Sequence, residues 1–160
     1  MQRYYKKTQR GWIINLVFIP ILLFFAAILY YQEVLGKPLG DRPAPSLFYV
    51  GFLILFLILL GLFSTLTVTG FSDYVEMKFG IGLIRKKFHY KHIQSCSVQK
   101  NPFLYGWGIR KIPGGWLYNV SGSMSVQLDM KDGKMYRIGT DEPQKLEEFI
   151  KTRLSLFGGA

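Results

Sequence analysis

The sequence predicts a membrane protein of the α+β class, in which an N-terminal hairpin of two transmembrane helices precedes a mostly β domain that ends in one helix. Two observations predict the hairpin: the 160-residue chain has no charged residue between Arg10 and Glu33, and none between Arg42 and Asp73. A third predicts the domain, because from Tyr74 onward apolar residues recur at every second position between turn-forming residues.

The predicted spans are residues 12–31 and 47–68, joined by an external loop over residues 32–46. A helix rises about 1.5 Å per residue and the hydrocarbon core is about 30 Å thick, so about 20 apolar residues cross it. One alternative is a pair of buried core helices, which the rest of the chain is too small to cover. Another is a cleaved signal peptide, which normally has a shorter apolar stretch than residues 12–31.

Basic residues beside the spans predict the orientation, because Lys and Arg are enriched on the cytoplasmic side. Four precede the first span and two lie in the connector: Arg3, Lys6, Lys7 and Arg10, against Lys37 and Arg42. We therefore expect a multi-pass protein of the cell (inner) membrane with both termini in the cytoplasm. The expected domains are residues 1–69, an N-terminal tail with the transmembrane hairpin, and residues 70–160, a cytoplasmic domain.

About seven antiparallel strands are predicted in the cytoplasmic domain, forming a sandwich or a bent, partly open barrel. They are expected near residues 75–79, 83–90, 93–98, 107–112, 116–121, 124–128 and 136–138. Between the last two, a three-residue loop over residues 131–133 places Leu128 opposite Tyr136 and Val126 opposite Ile138. It also puts Gly133 where a type I turn with a G1 bulge requires glycine. A two-residue loop would place the two apolar sets on opposite faces.

A C-terminal amphipathic helix is predicted to follow Asp141 as N-cap, with Pro143 in its first turn. Its inner face is expected to carry apolar residues spaced by three and four: Leu146, Phe149, Ile150, Leu154 and Phe157. This helix would cap one end of the barrel.

Three segments, together with this order of elements, resemble a known family. They are residues 105–110 (YGWGIR), 115–122 (GWLYNVSG) and 138–143 (IGTDEP). They resemble the bacterial pleckstrin-homology-like (PH-like) domains of small membrane-anchored proteins, over roughly residues 70–157. The resemblance implies a seven-stranded bent barrel capped by the C-terminal helix, and it implies no enzymatic activity. Phosphoinositide-binding relatives use spaced basic residues between the first two strands, whereas Arg85, Lys86 and Lys87 are contiguous, so that headgroup pocket does not carry over.

The sequence contains no pattern that indicates an enzyme, a cofactor or a metal site. Neither of its two histidines, His89 and His92, has a carboxylate or cysteine at metal-ligand spacing except Cys96. Cys96 is the single cysteine and is expected to be a packed thiol inside a strand. The carboxylates form no acid and base pair. We therefore expect no catalytic residue, no cofactor, no metal and no enzymatic activity.

Positive charge is the feature with the most physical weight, since residues 70–160 contain fourteen Lys or Arg against eight Asp or Glu. Anionic lipids attract each Lys or Arg near a membrane by about 1 kcal/mol. The candidate residues for contact with lipid or a partner are Arg85, Lys86, Lys87, Lys91, Lys100, Arg110 and Lys111. Phe103 and Tyr105 are candidate exposed aromatics, whereas Trp116 is expected to be buried. The alternative is that the cations only follow the positive-inside tendency.

Two functions are compatible with this pattern. The first is a non-catalytic, membrane-anchored binding or scaffolding module that contacts anionic lipid or a partner protein at the cytoplasmic membrane surface. The second is an accessory subunit of a larger membrane complex, recognised through its helices, where Gly51 and Gly61 permit close approach. Expected partners are membrane lipids, and a membrane protein or a second copy of the chain, but no nucleic acid. A transporter is disfavoured because neither span holds an ionisable residue.

Overall fold

The computed structural model describes residues 4–37 and 40–157, so Arg3 and two connector residues lie outside the described residues. Within these residues the chain is α+β, with two apolar helices near its N-terminus and one helix at its C-terminal end. The elements are β1 (Tyr5–Arg10), α1 (Trp12–Glu33), α2 (Ser46–Phe63), β2 (Thr65–Gly70), β3 (Tyr74–Phe79), β4 (Arg85–His89), β5 (Ile93–Lys100), β6 (Gly108–Ile112), β7 (Gly115–Asn119), β8 (Met124–Met130), β9 (Met135–Gly139) and α3 (Pro143–Phe157).

Helices α1 and α2 are each long and apolar enough to cross a membrane. They contain 22 and 18 residues, which correspond to about 33 Å and about 27 Å. Aromatic rings join them: Phe25 stacks on Phe52 at 5.1 Å between centroids, and Phe18 meets Phe56 edge-on at 5.5 Å. Their other faces are exposed, in contrast to the alternative of two buried core helices.

Both helices continue into strands of one sheet with a single residue between helix and strand. Gly11 separates β1 from α1, and Ser64 separates α2 from β2. The Gly11 amide donates to the Ser64 carbonyl at 2.7 Å, next to the paired residues Arg10 and Thr65. The second helix thus ends at Phe63, not near residue 68 as predicted. The reason is that half-buried threonines alternate with buried residues over residues 65–70 (TLTVTG). This alternation is a strand pattern, but the apolar composition of the segment resembles that of the helix before it.

In the described part of the chain, the strands form two sheets, and no hydrogen-bonded ladder closes them into a barrel. The first has the order β1-β2-β3-β4 and the second β5-β8-β9-β7-β6. The seven strands predicted after residue 70 are present as β3 to β9. The expectation of a purely antiparallel arrangement was wrong, because β7 and β9 pair in parallel. Strand β7 is the second strand of the hairpin β6-β7, and β9 is the second strand of the hairpin β8-β9. The two hairpins lie side by side with β7 next to β9, and these two second strands run in the same direction.

The predicted register of the last hairpin is confirmed. Leu128 lies opposite Tyr136, and Val126 lies opposite Ile138. Gly133 has a φ of +80°, and its amide donates to the Met130 carbonyl at 2.9 Å. The three-residue loop over residues 131–133 therefore closes the hairpin as its turn chemistry indicated.

Helix α3 packs against β5 and β8 and covers the core between the two sheets. Its predicted inner face is largely confirmed, since Leu146 and Ile150 are fully buried and Phe149 and Leu154 pack on the core. Phe157 differs, because it is exposed at the last turn. The N-cap also differs: the helix begins at Pro143, directly after Glu142. Asp141 instead accepts a hydrogen bond on Oδ1 from Gln9 Nε2 at 3.0 Å.

Cys96 is a packed thiol in β5, as expected. It is buried, with Sγ 3.8 Å from the Glu147 carbonyl oxygen. Burial, followed by the nearby Glu147 carboxylate, raises the pKa of the thiol to about 11. Only about one thiol in a thousand is then ionised at pH 8.

We expect a thiolate-directed reagent at pH 8 to modify Cys96 more than 100-fold more slowly in the folded full chain than in the unfolded chain, because an unfolded thiol has a pKa near 8.5. The folded rate should rise about tenfold per pH unit until the pH nears 11, since the thiolate reacts. Absorbance of the released chromophore measures both rates. Equal rates in the two states would contradict the buried thiol.

Candidate functional site

The end of the β domain that joins the helices, here called the junction end, is completed by two loops. The loop of residues 80–84 contacts α2, since the Ile81 amide donates to the Gly61 carbonyl at 3.1 Å. The loop of residues 101–107 adjoins α1, because Phe103 and Trp107 line one cavity with Trp12. The turn of residues 131–133 marks the opposite end, about 23 Å away along the seven residues of β8.

Both loops of the junction end expose large apolar side chains. Ile81 and Leu83 are exposed in one loop, and Phe103 and Leu104 are exposed in the other, with Leu104 at 93 %. Exposed apolar side chains that gather at one end of a domain are typical of surfaces that contact a membrane or another protein. Our sequence reasoning identified Phe103 and missed the other three residues. For Ile81 the sequence contained one usable signal, because this apolar residue lies in a turn between Gly80 and Gly82.

A groove of about 430 Å³, here called the junction groove, lies between the helix pair and the start of β6. Side chains of both helices form one wall, and the other is formed by the segment that leads into β6. Its lining residues are Ile13, Ile14, Val17, Phe18, Leu59, Phe63, Trp107, Gly108, Ile109 and Arg110. The groove is therefore apolar with one cation, and it opens beside the first turns of α1.

Three of the seven basic candidates lie at the junction end. Arg85 begins β4, and its Nε donates to the Gly82 carbonyl at 3.0 Å. Lys100 ends β5 and lines the cavity shared by Trp12 and Phe103. Arg110 lines the junction groove, and its Nε donates to the Trp107 carbonyl at 3.1 Å. In the described residues, none of these three cations has a carboxylate within 4 Å.

Two further candidates on β4 contact aromatic rings of the domain. Lys86 Nζ lies 3.8 Å from the centroid of the Tyr136 ring and 3.4 Å from the Tyr118 hydroxyl. Lys87 Nζ lies 4.8 Å from the centroid of the Tyr74 ring. Such cation–π contacts stabilise the charge within the domain, and Lys86 also lines a cavity with Arg85 and Trp116.

The remaining two candidates are exposed but lie elsewhere. Lys91 belongs to a short 3-10 turn whose last residue, His92, accepts a hydrogen bond on its carbonyl from the Lys131 amide at 2.9 Å, at the opposite end of the domain. Lys111 lies on β6 opposite Trp116. The seven basic residues thus do not form one patch, and the structure brings only Arg85, Lys100 and Arg110 to the end that adjoins the helices.

Trp116 is exposed to 41 %, so the expectation of a buried side chain was wrong. It shares a face with Tyr118 as predicted, but it lies where β4 and β6 form the facing edges of two sheets that stay apart. Trp116 and Tyr118 line a cavity there with Ile84 and Ile109. Tyr105 also differs from expectation, because it is half-buried whereas Phe103 is exposed.

The charge of the junction end is predominantly positive. Two further cations lie at this end. Arg10 is the last residue of β1, directly before Gly11, and Lys78 lies opposite Arg85 in the ladder between β3 and β4. Asp141 is an acidic group near this end, and it accepts a hydrogen bond from Gln9. Glu142, the next residue, is neutralised by Lys7 at 2.8 Å, and the hydrogen bond from that ammonium lowers the pKa of the Glu142 carboxyl.

Within residues 4–37 and 40–157, no three His, Cys, Asp or Glu side chains are placed together so that they could hold a metal ion. No protein-family model matches the chain, and no curated protein matches it.

Proposed function

We propose that this chain is a non-catalytic, membrane-anchored binding module whose β domain contacts anionic lipid at the cytoplasmic membrane surface. In this proposal α1 and α2 cross the cell membrane and both termini lie in the cytoplasm. The observation that carries the proposal is the direct continuation of both helices into β1 and β2. With one residue between helix and strand, and with Gly11 hydrogen-bonded to Ser64, the domain has no flexible linker. Its junction end stays at the level of the lipid headgroups.

The composition of the junction end supports lipid contact. Exposed apolar side chains, such as Leu83 and Leu104, suit the boundary between headgroups and acyl chains. Arg85, Lys100 and Arg110 suit the anionic headgroups just above it, at about 1 kcal/mol each. Because the helices already hold the domain at the membrane, these contacts orient the domain and do not need to recruit it.

Charge and strand order support the remaining parts of the proposal. The bias of Lys and Arg toward the segment before α1, compared with the connector, favours cytoplasmic termini. The resemblance to PH-like domains stays a prediction. Seven strands followed by one amphipathic helix agree with it, whereas two open sheets with a parallel strand pair differ from the closed barrel that it implies.

Amide hydrogen exchange in nanodiscs tests the lipid contact. The full chain is required, because a fragment that starts at residue 70 would lack β1 and β2. We expect residues 80–84 and 101–107 to exchange several-fold more slowly in discs with phosphatidylglycerol than in discs of phosphatidylcholine alone. The difference should shrink between about 0.1 M and about 1 M salt, since the Debye length falls from about 10 Å to about 3 Å. Residues 131–133 provide an internal control that should not change.

A matched pair of variants sharpens this experiment. Lys100→Gln combined with Arg85→Gln should reduce the effect of lipid charge on the two loops, with the remainder due to Arg110. Lys91→Gln combined with Lys131→Gln removes the same charge at the opposite end and should preserve it. If amide hydrogen exchange in the two loops does not depend on lipid charge, the proposed lipid contact is overturned. If alkaline carbonate releases the chain from membranes, the proposed membrane anchoring is overturned.

An accessory subunit, recognised through its helices, is the second candidate. The observation in its favour is the open surface of α2, since a Cβ atom at Gly51 or Gly61 would meet no atom within 4 Å. A neighbouring helix can therefore approach closely at these positions. In this function the β domain supports a complex, and the exchange of its loops would not depend on lipid charge.

A further inference from the structure

We infer that the junction groove binds one acyl chain of an anionic phospholipid, with the phosphate of that lipid held by the guanidinium of Arg110. The inference rests on the proposed membrane anchoring. It goes further by assigning a defined site, a ligand class and the residue that selects the charge of the ligand.

The shape and lining of the groove fit an acyl chain. Val17 and Phe18 of α1, together with Leu59 and Phe63 of α2, form an apolar wall, and Trp107 faces it from the β domain. The volume of about 430 Å³ lies within the range of small-molecule sites, which is about 300 to 1,000 Å³. Water in such a groove leaves apolar surface hydrated, so an apolar occupant is favoured.

The position of the groove selects a lipid over a soluble ligand. Its lining starts at Ile13 and ends at Phe18 on α1, which covers about the first 9 Å of the helix beyond Trp12. An interfacial Trp12 places this stretch where acyl chains begin. Bilayer lipids surround the groove there, and any other occupant would have to displace them.

Arg110 selects the headgroup charge. Its Nε donates to the Trp107 carbonyl, which fixes the guanidinium at the rim of the groove. A guanidinium binds phosphate oxygens in a bidentate manner, and in the described residues no carboxylate within 4 Å competes for it. A zwitterionic lipid has its own ammonium group beside the phosphate. We expect the net anionic lipid to be preferred about fivefold on this account.

Quenching of Trp107 fluorescence by brominated lipids tests the inference, because this side chain lines the groove. Trp12→Phe with Trp116→Phe leaves Trp107 as the single tryptophan, and both replaced side chains are exposed. The full chain is reconstituted in phosphatidylcholine vesicles that contain an increasing fraction of brominated phosphatidylglycerol or, in a parallel series, of brominated phosphatidylcholine. We expect the anionic lipid to reach half-maximal quenching at an about fivefold lower fraction.

Two variants test the role of Arg110. Arg110→Gln should lower the preference at Trp107 to the general enrichment of anionic lipid around the protein, whereas Arg110→Lys should retain part of the additional preference. Lys111→Gln is the matched control, because the neighbouring residue on a strand points to the opposite face and loses the same charge. An unchanged thermal midpoint shows that the variants are folded. A preference at Trp107 that Arg110→Gln does not reduce, or that Lys111→Gln reduces equally, would overturn the assignment.

A second single-tryptophan chain separates this inference from the anchoring on which it rests. Trp107→Phe with Trp116→Phe leaves Trp12, which lies outside the lining of the groove. If the helices are inserted in the bilayer, both brominated lipids must quench Trp12. The ratio of the two half-maximal lipid fractions at Trp12 then reports the general enrichment of anionic lipid around the protein. Absence of Trp12 quenching would overturn the membrane anchoring. Quenching of Trp12 without a larger charge preference at Trp107 would overturn only the groove.

Discussion

Gly80→Ala is expected to lower the free energy of unfolding by about 2 to 5 kcal/mol, which combines backbone strain with overpacking. Gly80 has a φ of +43°, a conformation that a side chain disfavours. A Cβ atom there would also lie 1.9 Å from the Gly61 carbonyl oxygen and 2.6 Å from that of Leu62. Both atoms belong to the backbone of α2, so the loop of residues 80–84 would have to leave the helix.

Gly133→Ala is the matched control for this prediction. Gly133 also has a positive φ, of +80°, but a Cβ atom there would meet nothing within 4 Å. Its cost should be that of strain alone, about 1 to 2 kcal/mol. Thermal unfolding of the full chain in a mild detergent, followed by tryptophan emission, compares the two. Equal shifts of the midpoint would contradict the close contact between Gly80 and α2.

Phe79→Ala is expected to destabilise the domain by about 3 to 5 kcal/mol, the usual cost of removing a buried aromatic ring. The Phe79 ring is fully buried at the end of β3. It meets Phe63 at the end of α2 edge-on, at 5.7 Å between centroids, and lies 6.3 Å from Tyr118 in the second sheet. Its loss would leave a cavity where the helix pair and both sheets meet.

Phe103→Ala removes the same side chain at an exposed position and should change the stability by less than about 0.5 kcal/mol. Chemical denaturation of the full chain measures both variants, provided that the slope with denaturant is unchanged. If both variants cost a similar amount, Phe79 would not have the packing role assigned to it.

These two positions hold the junction end together. Gly80 fixes one exposed loop against α2, and Phe79 joins the core to the end of the same helix. In the proposed function, a rigid junction keeps the exposed apolar side chains and Arg110 at one depth in the membrane. Weakening it should therefore increase amide exchange in residues 80–84 before the rest of the domain unfolds.

The sequence by itself determined the features that depend on neighbouring residues. Two uncharged stretches predicted the apolar helices, and alternation with turn residues predicted the seven strands after residue 70. Turn chemistry at Gly133 was sufficient to set Leu128 opposite Tyr136, because a short hairpin loop fixes its own register. Spacing of three and four likewise predicted the buried Leu146 and Ile150 of α3.

Only the tertiary structure decided which distant segments meet. The polar segment YKKTQR shows no alternation, and it becomes β1 because it pairs with β2 across an intervening helical hairpin, with Arg10 opposite Thr65. The exposure of Trp116 depends on the open space between β4 and β6, which no local pattern encodes. The same holds for Arg110 and the groove: pairing and packing between residues far apart in the chain depend on the whole fold, and they leave no periodic signal in either partner.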